Sequence, residues 1–258
     1  SMIRAGVKEI NLISQDSLMC GVDQGGKPLI VELVRRLDQL KGDFWLRILY
    51  GYPAGVTQEL IDLFNSATHL VKYLDLPIQH SHPEILTAMN RGKAIEATTT
   101  LVERLRAAIP GVTLRTTCLV GFPGETNSHF KHLEAFLKKA PFDHVGVFVY
   151  SPEEGTAADA WEPPEEKSAN ARAKKLMELQ KTIVEARNAT LKGETTTALL
   201  LRPKRASVWI GRTPRQAPEV DGETLIKNVP TTAKAGDFIP VVITGGQGYD
   251  LLAQACTP

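Results

Sequence analysis

Residues 113–126, TLRTTCLVGFPGET, predict a buried strand that runs through a Gly-Phe-Pro-Gly turn into a helix. Gly121 and Gly124 allow the backbone to turn sharply and to approach a ligand closely, and Thr126 can cap the helix that follows. Glu125 then stands where it could hold a ribose or an amino group. Because a tight strand-to-helix connection without a ligand would use the same residues, the neighbouring segments have to decide between the two interpretations.

The segments on either side of this stretch predict a sheet and then a set of short strands. Up to about residue 160, short β-rich runs alternate with segments of helical period, which is typical of βαβ units with a parallel sheet. The strands predicted for the sheet are 7–13, 44–50, 73–78, 112–120 and 144–150. A long helix is predicted over 165–191, and the strands predicted after it are 195–201, 206–211, 223–228, 238–244 and 249–255.

These elements define an α/β chain with three parts. We expect a partial TIM barrel in residues 1–164, a linking helix in 165–192 and a small antiparallel, OB-like β-barrel in 193–258. Polar residues follow every strand of the predicted sheet at its carboxyl end, which is where ligands bind in barrels and in open α/β sheets. The sequence therefore predicts a binding pocket along that edge.

Two residues at this edge have alternative roles. Arg115 lies within a largely apolar strand, so an inward guanidinium needs a carboxylate partner. That partner is either the carboxylate of a ligand or, in a structural ion pair, Glu125 or Asp75. His80 is expected to be a hydrogen-bonded residue at the rim of the pocket rather than a base or a metal ligand.

The composition argues against several classes of protein. A formal charge of +1 and a pI near 7.7 provide no global basic field for nucleic acid. Cys20, Cys118 and Cys256 are far apart and belong to no CxxC or CxxxCxxC motif, so the sequence offers no thiolate metal site. The thiols are few and scattered, which is typical of proteins in the reducing cytoplasm. The sequence also has no long apolar run and no signal-peptide core, so we expect a cytoplasmic protein without a membrane partner.

Four segments together resemble the radical S-adenosylmethionine (radical SAM) methylthiotransferases: KEINLISQD at 8–16, KYLDLPIQH at 72–80, LVGFPGET at 119–126 and YSPEEGT at 150–156. The resemblance covers essentially the whole chain and implies a radical SAM half-barrel followed by an OB-like TRAM domain. It implies an enzyme. In the RimO type, a methylthio group is added to the β-carbon of an aspartate in small-subunit ribosomal protein twelve, and in the MiaB type tRNA adenosines are modified.

The carboxyl-terminal part favours the RimO type. Residues 211–222, GRTPRQAPEVDG, are similar to that type, which points to the ribosomal protein as partner, contacted through the TRAM domain. From residue 193 onward, seven Lys and Arg stand against six Asp and Glu, whereas an RNA-binding module is usually more basic. A tRNA methylthiotransferase is the alternative within the family, and a non-catalytic binding scaffold is an alternative from another class.

The resemblance also implies S-adenosylmethionine as a cofactor. The residues that it implies as contacts are Ser14, Gln15 and Asp16 near the methionine end, Gln79 and His80 at the ribose, Arg115 at a carboxylate, Gly121, Gly124 and Glu125 at the adenosine, and Tyr150 as a further contact. It assigns no catalytic or metal-binding residue in this chain.

The family's [4Fe-4S] clusters have no counterpart in this sequence. The resemblance places one cluster on a CxxxCxxC loop after the first barrel strand and a second on an amino-terminal domain, and the chain contains neither motif. We therefore expect a fragment that lacks the first strand of the half-barrel, both clusters and enzymatic activity. The strand at 7–13 would have an unpaired apolar edge, which predicts self-association.

Overall fold

A computed structural model gives the fold and describes residues 2–91, 96–158 and 160–256. The first part of the chain forms a parallel sheet whose strands lie in chain order. These strands are β1 (Glu9–Leu12), β2 (Trp45–Ile48), β3 (Leu70–Asp75), β4 (Thr113–Val120) and β5 (His144–Val149). Sequential parallel order requires a crossover after each strand, as in a βα barrel, so the predicted partial barrel is confirmed.

Helices form these crossovers and continue beyond the sheet. They are α1 (Val22–Gly25), α2 (Ile30–Asp38), α3 (Gln58–Ser66), α4 (Pro83–Ala88), α5 (Glu96–Ala108), α6 (Asn127–Lys139) and α7 (Glu166–Thr190). Short 3-10 segments lie at Ile3–Ala5, Ser17–Met19 and Pro53–Gly55. Within the described ranges, none of the helices has the length and apolar character that crossing a membrane requires.

The third strand differs most from its predicted bounds. It spans Leu70–Asp75 instead of 73–78, because Pro77 has no N–H to donate to a neighbouring strand and Gln79 has a positive φ of 66°. The apolar residues that suggested a longer strand, Leu76 and Ile78, are buried beyond its end. The shift moves the point where the chain leaves the sheet toward Asp75.

The five strands after α7 close into a barrel in the order β10-β8-β7-β6-β9. They are β6 (Thr195–Arg205), β7 (Val208–Arg212), β8 (Thr224–Lys227), β9 (Phe238–Gln247) and β10 (Asp250–Ala255). The barrel differs from a fully antiparallel one at a single pair, since β8 and β10 are parallel. Strand direction can alternate all the way round a closed ring only when the number of strands is even, so five strands require a parallel pair.

The sheet and the barrel share apolar contacts. On the sheet, Trp45, Leu49 and Tyr73 belong to one buried cluster with Leu199 and Ala217 of the barrel part. The opposite face of the sheet packs against the helices and forms the larger core. The division of the chain at residues 164 and 193 into separate domains stays a prediction.

The strand β1 lies at an edge of the sheet. Within the described part of the chain it pairs with β2 alone, in parallel register from Glu9 opposite Trp45 to Leu12 opposite Ile48. Its other edge therefore has backbone groups without a strand partner, as expected from the sequence. Self-association through this edge stays a prediction.

Candidate functional site

A cavity of about 550 Å³ lies at the carboxyl ends of β3, β4 and β5. Its lining includes Thr117 and Leu119 of β4, Phe148 of β5, Gln79 after β3 and Tyr150 after β5. The cavity lies at the edge where the sequence predicts a pocket. Its volume falls within the range of small-molecule sites in proteins.

The chain after α4 contributes a cationic wall. Met89, Asn90 and Arg91 line the cavity there, and the Arg91 guanidinium lies 5.3 Å from the centre of the Tyr52 ring. Arg91 Nη1 donates a hydrogen bond to the Pro77 carbonyl at 3.2 Å. Since none of the ion pairs among the described residues involves Arg91, its charge is available to an anionic group in the cavity.

Aromatic side chains form another wall. Phe122, in the Gly-Phe-Pro-Gly turn, meets Tyr150 edge-to-face with the ring centres 5.1 Å apart. The Tyr150 hydroxyl donates a hydrogen bond to the Ala158 carbonyl at 3.3 Å, which ties the ring to the loop after β5. Phe148 is 57% exposed, an unusual state for a phenylalanine on a sheet. These rings provide apolar surfaces on which a flat group such as a nucleobase can pack.

The Gly-Phe-Pro-Gly turn packs closely against the protein itself. Gly121 has a positive φ of 76°, and a Cβ at this position would lie 2.6 Å from the Cβ of Ala169 in α7. The close approach that this glycine allows is therefore an approach to a helix. The described lining of the cavity includes neither Gly121, Gly124 nor Glu125, so a ligand contact by these residues stays a prediction.

Glu125 is buried behind the turn, with only 5% of its surface exposed. Its carboxylate accepts hydrogen bonds from the Gly121 N–H and from Arg172 Nη1 of α7. Burial by itself would raise the pKa of Glu125, but interactions with His80, the Gly121 N–H and Arg172 lower it below its usual value. Glu125 is thus an ionised residue that holds the turn against α7.

His80 lies on the same inner side. It is 1% exposed, its Nδ1 accepts a hydrogen bond from the His82 N–H at 2.9 Å, and its Nε2 lies 3.5 Å from Glu125 Oε1. The predicted rim position is wrong, because the left-handed backbone at Gln79 leaves Gln79 lining the cavity and His80 buried. The predicted hydrogen bonding of His80 is confirmed, and its contact with a ribose stays a prediction.

The residues after β1 form a local turn. Asp16 Oδ1 accepts hydrogen bonds from the Leu18 and Tyr52 N–H groups, both at 3.1 Å, and so connects the chain after β1 with the chain after β2. Ser14 and Gln15 are exposed. The described lining of the cavity contains none of Ser14, Gln15 and Asp16, so their contact with a cofactor stays a prediction.

Arg115 faces the barrel and is 7% exposed. Its Nη1 donates a hydrogen bond to Asp75 Oδ1 at 3.0 Å, and its Nε lies 3.6 Å from Asp221 Oδ1. Burial by itself would lower the pKa of Arg115, but Asp75, Tyr73 and Asp221 raise it above its usual value. Of the two sequence-based interpretations, the ion pair with Asp75 is present, and binding of a ligand carboxylate stays a prediction.

A second charged group beneath the barrel was not predicted from the sequence. Arg47 is fully buried, and its Nε donates to Glu9 Oε1 at 2.8 Å. Its terminal nitrogens donate to the carbonyls of Pro214 and Gln216 at 2.9 and 3.1 Å, and Arg212 also pairs with Glu9. The sequence did contain a signal for this group, because several apolar strands each include one charged residue. A charged residue buried in an apolar strand needs a partner from elsewhere in the chain.

The donor groups of the described residues do not fit an iron–sulfur cluster, which needs several converging thiolates. Cys20, Cys118 and Cys256 are free thiols, and burial on β4 raises the pKa of Cys118 to about 12. In the described ranges, the potential metal-binding group consists of His82, Glu84 and His129 and contains no cysteine. We therefore assign no cluster to these residues.

Comparison with known proteins identifies the class. Residues 2–137 match the radical SAM superfamily and residues 193–256 match the TRAM domain, so the chain belongs to the radical SAM superfamily and carries a TRAM domain. The radical SAM and TRAM domains predicted from the sequence are thereby confirmed. The first match covers β1 to β4 of the parallel sheet, and the second covers the closed barrel.

Individual relatives are more specific. The chain is 44% identical over 252 residues to the ribosomal protein uS12 methylthiotransferase RimO of Synechococcus sp. (strain JA-3-3Ab), covering 96% of this chain and 54% of the relative. It is 43% identical to the protein of the same name from Gloeobacter violaceus, covering 96% and 56%. The chain spans about half the length of these curated relatives. A solved structure of coproporphyrinogen III oxidase (HemN) from Escherichia coli is 17% identical, with a TM-score of 0.49 over 60% of this chain and 36% of that one.

Proposed function

We propose that this chain is the nucleotide-binding and substrate-facing part of a radical SAM methylthiotransferase that acts on an aspartate of ribosomal protein uS12. The observation that carries the proposal is the 44% identity to a uS12 methylthiotransferase over 96% of the chain, since it extends through both the sheet and the barrel. The cavity at the carboxyl edge of the sheet supports it as a site for S-adenosylmethionine.

The cavity offers three kinds of contact to this ligand. Phe122, Phe148 and Tyr150 present rings for the adenine, and Gln79 and Thr117 present hydrogen-bonding groups for the ribose. When bound, S-adenosylmethionine would supply the hydrogen-abstracting chemistry of the superfamily. These residues would bind and orient it, and the aromatic wall would keep water from its adenosine part.

Arg91 would hold the carboxylate of the ligand. Its guanidinium is positioned by the Pro77 carbonyl and the Tyr52 ring, and the described ion pairs leave it without a carboxylate. A charge-assisted hydrogen bond of this kind contributes more to binding than one between neutral groups. Because the described donor groups do not fit an iron–sulfur cluster, we expect binding without methylthiotransfer from this chain by itself.

Calorimetric titration with S-adenosylhomocysteine and with methylthioadenosine tests this assignment, because the second ligand lacks the amino-acid carboxylate. We expect Arg91→Ala to weaken binding of S-adenosylhomocysteine about tenfold and to leave methylthioadenosine unaffected. Arg35→Ala, which removes an exposed arginine that pairs with Glu59, is the matched control. Equal loss for both ligands would contradict the role of Arg91, and no binding of either would contradict the cavity as the site.

We further propose that the barrel contacts the ribosomal protein rather than tRNA. Three of the barrel's basic side chains are paired with carboxylates: Arg202 with Glu223, Arg215 with Glu194, and Arg212 with Glu9. This pairing reduces the positive field that RNA binding requires. Titration with uS12 and with an anticodon stem-loop at two salt concentrations separates the alternatives. Tighter RNA binding with a steep salt dependence would favour the tRNA enzyme.

A further inference from the structure

A group of histidines lies outside the cavity, at the amino ends of α4 and α6. His82 is the amino-terminal cap of α4, Glu84 lies in its first turn, and His129 lies in the first turn of α6. One donor atom from each of these three residues lies within 4.8 Å of the other two. His132, one turn further along α6, has its ring centre 5.1 Å from that of His82.

The hydrogen bonds of the rings determine which nitrogens remain available. His82 Nδ1 accepts from the Glu84 N–H at 3.3 Å, and His129 Nδ1 accepts from the Thr126 N–H at 3.2 Å. His129 Nε2 lies 3.1 Å from Glu84 Oε2. His132 Nδ1 lies 2.9 Å from Ser81 Oγ, and the Nε2 atom of His132 takes no part in this contact.

Helix capping explains the Nδ1 contacts of His82 and His129 but not the convergence of their rings. The ring centres of His82 and His129 are only 4.2 Å apart, so two protonated rings would repel each other strongly. Imidazole rings that converge on one carboxylate form a donor set of nitrogen and oxygen atoms that suits a divalent transition-metal ion.

We propose that His82, Glu84 and His129 bind a divalent transition-metal ion such as Zn²⁺, with water completing the coordination. Zinc takes imidazole nitrogen and carboxylate oxygen at roughly 2.0–2.2 Å, so the donors have to close by rotation of their side chains. The Glu84 side chain is 76% exposed and free to make this movement.

Binding through Nε2 requires the proton of His82 and of His129 to move to Nδ1. The two cap hydrogen bonds, at 3.3 and 3.2 Å, are lost, and water can replace them because both contacts are exposed. This exchange predicts a binding affinity below that of a site built with both Nδ1 atoms already protonated.

The location gives the ion a structural role. α4 begins four positions after Gln79 and α6 begins five positions after Phe122, and both Gln79 and Phe122 line the cavity. An ion shared by α4 and α6 would therefore join the two loops that form the cavity wall. Bound Zn²⁺ is expected to raise the temperature of unfolding of the whole chain, because it binds the folded state alone.

Calorimetric titration of the chelator-treated protein with Zn²⁺ tests the proposal. We expect a single bound equivalent, and at least about a tenfold loss of affinity in His129→Gln and in Glu84→Gln. His129→Gln is the sharper variant, because a glutamine at this position keeps the capping box with Thr126 and thus preserves α6. Glu134→Gln, which removes a carboxylate from α6 outside the group, should bind Zn²⁺ as the wild type does.

The exposed thiol of Cys20 provides a competing zinc site, so the titration is repeated with Cys20→Ser. Retained binding in Cys20→Ser together with loss in His129→Gln supports the proposal. Binding that depends on Cys20 and ignores His129 overturns it, and so does the absence of binding to the wild type. With Co²⁺ as a probe, a visible spectrum without thiolate charge transfer is expected, and a thiolate band would contradict the assignment.

Discussion

Two regions on one face of the sheet use their polar residues in different ways, and β4 passes through both. Under the barrel, Arg115 is paired with Asp75 and lies close to Asp221. Two and four positions later on the same face, Thr117 and Leu119 line an open cavity, where Arg91 has no carboxylate partner among the described residues. Buried charges need partners, whereas a binding site needs groups left free for its ligand. The pairing of charged side chains therefore distinguishes the interface between the sheet and the barrel from the candidate site at the cavity.

Removal of a buried cation beneath the barrel should have the largest effect. Arg47→Ala leaves the carbonyls of Pro214 and Gln216 without their donor and weakens the neutralisation of Glu9. We expect a loss of about 4 kcal/mol in the free energy of unfolding, measured by urea titration. Arg35→Ala, at an exposed ion pair, should cost less than about 1 kcal/mol. Similar losses in the two variants would contradict the contrast between the interface and the surface.

The two glycines of the Gly-Phe-Pro-Gly turn form a matched pair. Both have positive φ, but a Cβ at Gly121 would meet Ala169 of α7, whereas nothing lies within 4 Å of one at Gly124. Gly121→Ala should cost about 3 kcal/mol, from steric overlap and backbone strain together, and Gly124→Ala about 1 kcal/mol from strain alone. Urea titration of both variants checks this, and equal costs would show that packing against α7 is unimportant.

Asp143 gives the packing of α5 and α7 against the sheet a dependence on pH. Burial would raise the pKa of Asp143, but Arg187, Arg106 and the Leu114 N–H lower it below its usual value. A lowered folded-state pKa contributes stability above the unfolded-state pKa, about 3.9, and this contribution is lost as pH falls toward the folded-state value. Asp143→Asn should cost about 2 kcal/mol at neutral pH and lose less stability on acidification than the wild type. Parallel pH profiles would refute this role.

Phe148 should show the smallest effect on stability. Because its side chain is largely exposed beside the cavity, Phe148→Ala should change the free energy of unfolding by less than about 0.5 kcal/mol. Binding of S-adenosylhomocysteine should nevertheless weaken, since one wall of the proposed adenine site is lost. Calorimetry and urea titration of the same sample measure both quantities. A large loss of stability with unchanged binding would place Phe148 in the core instead of the site.

The sequence predicted some residues of the cavity and missed others for a geometric reason. Gln79 and Tyr150 were found because they follow strands directly, at the edge where ligands bind. Thr117 and Phe148 lie within strands, and their orientation toward the cavity depends on which face of the sheet is closed by helices. Arg91 comes from the chain after α4, whose approach to β4 no local pattern indicates.

The sequence by itself determined the order of strands and helices and the change to a barrel after residue 193, because periodicity, turns and capping residues act over a few neighbouring positions. The superfamily was indicated by the resemblance of four short segments to a known family. Only the tertiary structure decided which strand residues line the cavity and which face the barrel. Arg47 donates to a carbonyl 167 residues away, and His80 turns inward because of the backbone at Gln79. Such pairings depend on how distant segments pack, so they become visible only when the whole chain is folded.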